Sequence, residues 1–191
     1  MVNIQLPTDK LFQVSIRTAA RSDLSALEWE GELKHFRRLF ADAYERVEQG
    51  QAAILIAEIP ETGLIGQLFL SLRSGRPELS DGTTRGYIYG VRVRLEHRNC
   101  GIGTQLMFAA ETELIERGFY YATLNVGRDN PKAQRLYERL GYRVVAPENG
   151  RWSYEDENGL RHEVHEPAWR MEKLLLDPPR MFENPLDSQV T

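Results

Sequence analysis

The run Tyr87-Ile88-Tyr89-Gly90-Val91-Arg92-Val93 is followed, five residues on, by Arg98-Asn99-Cys100-Gly101-Ile102-Gly103-Thr104. The first run is rich in β-branched and aromatic residues and reads as a strand. After it, Ile102, Leu106, Met107, Ala110, Leu114 and Ile115 recur at helical spacing as far as Arg117, and Gly118 ends the pattern. A glycine-rich turn between a strand and a helix leaves the first backbone N–H groups of the helix without partners, and the peptide dipoles add partial positive charge there. Such an end is an anion site, best suited to phosphate. Gly101 and Gly103 let an anion approach the backbone closely, and Arg98 adds a fixed charge with a planar fork of donors. Taken alone, the heptad also fits a turn that merely connects strand to helix. Two other phosphate-loop classes fail: a dinucleotide fingerprint needs Gly or Ala where Leu106 stands, and no Gly-Lys-Ser/Thr ending is present for a Walker A loop.

A second block changes the weight of the first. Leu124-Asn125-Val126 precedes Asn130-Pro131-Lys132-Ala133-Gln134-Arg135-Leu136-Tyr137-Glu138-Arg139-Leu140-Gly141-Tyr142. Together the two blocks resemble the GNAT superfamily of acyl-CoA-dependent N-acyltransferases. That family's pattern is a strand, Arg/Gln-x-x-Gly-x-Gly/Ala, a helix, a strand, then Asn-x-x-Ala-x-x-Leu-Tyr-x-x-x-Gly-Tyr/Phe. The likeness is specific over Tyr87 to Tyr142 and extends loosely to residues 14–176 through the order of elements.

The resemblance implies an α/β GNAT fold: a mixed, twisted central sheet of about six to seven strands with about four helices, splayed between the fourth and fifth strands. It implies transfer of an acetyl group from acetyl-CoA to a primary amine by direct attack. Arg98, Asn99, Cys100, Gly101, Ile102, Gly103 and Thr104 would hold the pyrophosphate, and the backbone at Val91 and Val93 would pair with the pantetheine arm. Gly90 would mark a bulge at that splay. Asn130 matches the family Asn near the cofactor. Tyr137 matches the tyrosine that protonates the leaving thiolate; its other role would be packing on an amphipathic helix. Cys100 has no His nearby in sequence, so it reads as part of the cofactor loop rather than as a nucleophile.

The general base is not legible. Tyr87 to Val93 contains no Asp or Glu, where several family members place a carboxylate. Glu58 is one alternative. Glu28, Glu30 and Glu32 around Trp29 are others, as are His162 and His165 in a late acidic loop, or a water chain with no dedicated base. Trp29, Trp152 and Trp169 could each line an acceptor pocket or pack in the core.

Composition bounds the rest. With 191 residues, 41% apolar and 27% charged, the chain suits one domain with a core, 14–176, between an N-terminal extension, 1–13, and a Pro-containing polar tail, 177–191. It has no run of 18 apolar residues, so no membrane span is expected. A single cysteine and the lack of an apolar core in residues 1–10 point to the cytoplasm. Four His and one Cys without paired spacing predict no metal. The net charge of −4 argues against nucleic-acid binding. Residues 85–143 carry ten Lys/Arg against six Asp/Glu, which suits a polyanionic cofactor, while the acidic remainder could draw a cationic amine or simply be solvated. A homodimer would form through the last strands or the tail. The other function compatible with the motifs is an acyl-CoA-binding regulatory domain that transfers nothing.

Along the chain, alternation predicts a strand at 14–17 and a continuous apolar run predicts one at 52–59; further strands are expected at 64–72, 86–94, 119–126, 142–146 and 169–174, with the pair 52–72 as a hairpin. Helices are expected from Leu24 to Gln49, interrupted at Gly31, then from Ile102, and from Pro131 to Leu140. Ser74 to Arg85 and 148–163 read as polar connections.

Overall fold

A computed structural model describes residues 14–60 and 62–177. The expected extension and nearly all of the expected tail lie outside these residues. Seven strands form one mixed sheet: β1 (Ser15–Thr18), β2 (Ala52–Ile59), β3 (Gly63–Ser71), β4 (Arg85–Val93), β5 (Tyr121–Gly127), β6 (Arg143–Glu148) and, last in sequence, β9 (Ala168–Leu174). Their order across the sheet is β1-β2-β3-β4-β5-β9-β6. Only β4 and β5 run parallel among neighbours. A parallel pair needs a crossover, and α2 (Ile102–Glu116) supplies it. The other helices are α1 (Arg37–Glu48) and α3 (Pro131–Arg139).

Alternation along the strands sorts the core into two layers. Leu55, Leu68, Leu70, Ile88, Leu124 and Val126 pack under α2 and α3. Ile54, Ile56, Leu64 and Phe69 face the other way, against Phe40 and Ala43 of α1 and Trp29. β2 and β3 are buried on both faces, which is why they read as continuous apolar runs.

The fourth and fifth strands splay as expected. They pair only from Arg85↔Tyr121 to Ile88↔Leu124. Beyond that point β4 stays with β3 as far as Val93↔Gly66, while β5 stays with β9 as far as Gly127↔Ala168, so a wedge opens between them. At the root of the wedge β4 carries one extra residue: Phe69 pairs Tyr89 but Gln67 pairs Arg92. Gly90 sits there with φ +60, and a Cβ on it would come within 2.9 Å of the Phe69 ring. Both facts call for glycine, in agreement with the expected bulge.

Two segments differ from the sequence reading. The helix expected from Leu24 breaks into 3-10 turns at Arg21–Asp23, Ala26–Gly31 and Lys34–Phe36 before α1 begins. Trp29, Glu30 and Gly31 all have positive φ, which no α-helix tolerates. The kink buries Trp29, whose indole N–H donates to Gln67 Oε1 at 2.8 Å, and turns Glu30 to pair with Arg94 at 2.7 Å. The polar connection expected over 148–163 contains a hairpin, β7 (Arg151–Glu155) with β8 (Arg161–His165). One of its faces carries Trp152 and Tyr154, which close on Phe36 with ring centroids 6.4 and 5.0 Å apart. In the loop of the hairpin Asp156 accepts the Asn158 and Leu160 N–H groups, each at 2.9 Å.

Candidate active site

Two features flank the wedge, one on each face of the sheet. On the α2 face is the loop between β4 and α2. Leu95–His97 forms a 3-10 turn that the sequence did not reveal, then the chain turns through Asn99 (φ 62) and Gly101 (φ 81) into the helix. The first intrahelical bond is Gln105 N–H to the Gly101 carbonyl at 3.0 Å. The N–H groups of Ile102, Gly103 and Thr104 therefore precede any helical acceptor. Open space surrounds Gly101, and a Cβ on Gly103 would meet nothing nearer than a Leu136 methyl at 3.8 Å. The loop is thus a backbone cradle of the size and polarity for an anion. The Arg98 guanidinium folds back, and its Nε donates to the Val93 carbonyl at 2.9 Å, which steadies the loop on the strand. Cys100 is exposed, with its thiol 3.5 Å from the Arg98 carbonyl.

The contact between Gly103 and Leu136 places α3 beside the start of α2. Asn130 caps α3: its Oδ1 accepts the Ala133 N–H at 3.1 Å, with Pro131 in the first turn. Its amide nitrogen donates to none of the described residues. Tyr137 is 8% exposed and meets Tyr142 edge-on, centroids 6.1 Å apart. Burial pushes its phenol up to about 12, so it stays protonated through neutral pH.

On the α1 face a cavity of about 450 Å³ lies under the wedge. Its floor is Tyr87, Tyr89, Gly90 and Arg92 of β4 with Asn125 and Gly127 of β5; α1 and Trp152 of β7 wall it. Tyr87 and Tyr89 stack, centroids 5.5 Å apart, and burial pushes Tyr87 up to about 12. Arg92 reaches this face because of the bulge. Without the extra residue, alternation would send Arg92 to the α2 side; with it, Val91 and Val93 join the α2-face core and Arg92 joins the tyrosines. Its guanidinium lies over the Phe36 ring, 4.8 Å from the centroid, and burial holds its pKa below the usual value despite the nearby charge of Glu166.

Three of the acids considered as bases are engaged elsewhere. Glu58 binds Arg17 at 2.9 Å on the β1 side of the sheet, Glu28 binds Arg37 at 2.6 Å, and Glu30 binds Arg94. Glu32 and His165 do not line the cavity. His162 meets Asp156 at 2.9 Å in the hairpin. Of the three tryptophans only Trp152 lines the cavity; Trp29 is core, and Trp169 lies under Arg128, 4.1 Å from the ring centroid. Arg92, Tyr87, Tyr89 and Asn125 were not singled out in the sequence. Their placement depends on the bulge and the wedge, which local pattern does not encode.

The acetyltransferase (GNAT) family model matches residues 17–142, two thirds of the chain. The chain belongs to the GNAT acetyltransferase family. The mixed seven-stranded sheet with its parallel β4–β5 pair is the GNAT fold. In sequence it is 39% identical over 64 residues to a mycothiol acetyltransferase from Nocardiopsis dassonvillei, covering 34% of this chain and 19% of that one. The matching stretch is thus about a fifth of that relative's length. In structure it resembles Ard1 from Thermoplasma volcanium, with a TM-score of 0.65, 18% identity, and 86% and 99% of the two chains covered. It also resembles Arabidopsis thaliana NAA60 solved in complex with acetyl-CoA, with a TM-score of 0.64, 20% identity, and 84% and 98% covered. Among the described residues no helix is long and apolar enough to cross a membrane.

Proposed function

We propose that the chain is an N-acetyltransferase that uses acetyl-CoA and a primary amine, with the amine attacking the thioester directly. The observation that carries this reading is the wedge between β4 and β5, which joins a backbone anion cradle on one face to a cavity on the other. A long cofactor with an anionic end and a reactive tip fits that arrangement. Its pyrophosphate would rest on the N–H groups from Asn99 to Thr104, since the Arg98 N–H already donates to the Leu95 carbonyl at 3.3 Å. Its amide-bearing arm would run along the free edge of β4 at Val91 and Val93, beyond the last β4–β5 pair. The Val93 carbonyl already accepts Arg98, so that arm would use the remaining groups of the edge. Asn130 would reach it with its amide nitrogen.

Acetyl-CoA supplies an acyl group on a sulfur leaving group. As the N–C bond forms and the C–S bond breaks, the amine sheds a proton to water and the sulfur needs one. Tyr137 is the donor on α3, beside the cradle. Its buried phenol remains protonated, and a thiolate expelled into the same dry environment is a stronger base than in water, which favours the transfer. Solvent then restores the Tyr137 proton. With no acid on β4 and Glu28, Glu30 and Glu58 held in ion pairs, the amine enters neutral or loses its proton through water. An intact Tyr137 favours this reading over a regulatory domain that only binds the cofactor. The test is release of free thiol from acetyl-CoA across a panel of amines.

A further inference from the structure

The cavity on the α1 face holds a cation that forms no ion pair, although Glu166 on the same lining bears on it at longer range. Arg92 has no carboxylate within 4 Å among the described residues, whereas Arg76 on the same wall binds Glu148 at 2.7 Å and Glu78 at 2.8 Å. A half-buried guanidinium is favoured when an anion meets it, and its planar fork matches a carboxylate with two parallel bonds. The Arg92 side chain points away from the α2 face, so it is separate from the phosphate cradle and free to face the second substrate. On the other strand of the wedge the same cavity is lined by Asn125, the first β5 residue past the last pair with β4. Its Oδ1 is buried without a donor; the Tyr87 hydroxyl neighbours the amide but closes no bond of ordinary geometry. A free cation, a free acceptor and aromatic walls at Phe36, Phe69 and Trp152 thus share one cavity.

Resting on the acetyltransferase reading above, we infer that the acceptor is an amine that also carries a carboxylate and an apolar or aromatic side chain, as an amino acid does. Arg92 binds the carboxylate, Asn125 Oδ1 accepts from the amine N–H, and the rings take the side chain. A polyamine is disfavoured, because its second cation would sit against Arg92 with Glu166 as the one carboxylate on the lining.

Thiol release is measured with acetyl-CoA and matched sets: phenylalanine, leucine and methionine, each beside its carboxamide and its decarboxylated amine, with spermidine as a cationic control. Acetyl-CoA affinity is measured in parallel by calorimetry. The expected result is a preference in kcat/KM for the acid over its carboxamide of about 10- to 100-fold, the range of a charge-assisted pair. Arg92→Gln collapses that preference and Arg92→Lys restores part of it, while acetyl-CoA affinity stays as in the parent for both. Equal use of acid and carboxamide, a preference untouched by Arg92→Gln, selection of spermidine, or bound acetyl-CoA with no member consumed each overturns the inference alone. Failure of the parent protein to bind acetyl-CoA overturns the acetyltransferase reading, and the inference falls with it.

Discussion

Tyr137 and Gly103 carry the most chemical weight per atom. Replacing Tyr137 with Phe keeps the ring that packs on Tyr142 and removes only the proton donor. The expected outcome is a fall in kcat of about 10²- to 10⁴-fold, the usual worth of a positioned acid, with acetyl-CoA affinity unchanged. A parent-like kcat at saturating acceptor removes Tyr137 from that role. Because burial lifts the phenol to about 12, its neutral form is favoured in the folded chain, and the proton is lost only as the pH rises through that value. The kcat profile should therefore rise with amine deprotonation and hold level through pH 10. A descending limb centred near 10 would mean the acid titrates like a free phenol. At Gly103 the protein leaves room for a Cβ, with Leu136 at 3.8 Å, so Gly103→Val is tolerated by the fold and obstructs only the ligand's approach. Calorimetry should show acetyl-CoA binding weakened by about tenfold or more, or ~1.4 kcal/mol. Undiminished affinity contradicts the cradle. Both residues were singled out in the sequence because their motif is local. Asn130 was only half legible, since its cap bond to Ala133 at 3.1 Å is a structural duty added to the one inferred from the family pattern.

At the scale of elements, the bulge on β4 decides which side chains see the acceptor. Gly90→Ala puts a methyl within 2.9 Å of Phe69 on a left-handed backbone. It should cost about 1–3 kcal/mol in urea unfolding and lower turnover more than acetyl-CoA affinity. The glycine itself was readable in the sequence, but the consequence that Arg92 changes face was not, because it requires the β3–β4 register. The β7–β8 hairpin was missed for a similar reason. Its alternation is short and polar, and its apolar face exists only against Phe36. The stretch from Ser74 to Arg85 is a loop as expected, held by Asp81, which accepts from the backbone of Thr83 and Arg85 at 2.9 and 3.0 Å and from Thr84. Burial works against that carboxylate, but these bonds outweigh it and hold its pKa well below the usual range. A depressed folded pKa means the contribution is present above the unfolded value of about 4 and is lost as the pH falls below it. Asp81→Asn should then lower stability by about 1–3 kcal/mol at pH 7 and by less at pH 3. An equal loss at both pH values contradicts the assignment.

At the scale of the whole molecule, the parallel β4–β5 pair goes with the order of the two motifs and the helix between them, whereas the entry of the last strand, β9, between β5 and β6, antiparallel to both, was not in the sequence reading. The two-faced site followed from the splay. What pattern could not supply was which charges end up paired. Glu28, Glu30 and Glu58 looked available as bases until long-range packing gave each an arginine, while Arg92 was left half-buried without one. The layer under α2 is the mechanical link between strand and cradle: Leu106 is fully buried there, its side chain 3.2 Å from where a Cβ on Gly66 would stand. Leu106→Ala should cost about 2–5 kcal/mol in chemical unfolding, as a core cavity does. A loss below about 1 kcal/mol would show that this layer does not hold α2 to the sheet. The central claim is that the wedge carries acetyl-CoA from a backbone cradle to an amine. The most direct test is calorimetric titration of the protein and of Gly103→Val with acetyl-CoA, with thiol release followed on the same samples in the presence of amines. The account predicts binding with amine-dependent release by the parent and weakened binding by the variant. Parent protein that binds no acetyl-CoA, or binds it equally well with Val at 103, contradicts it.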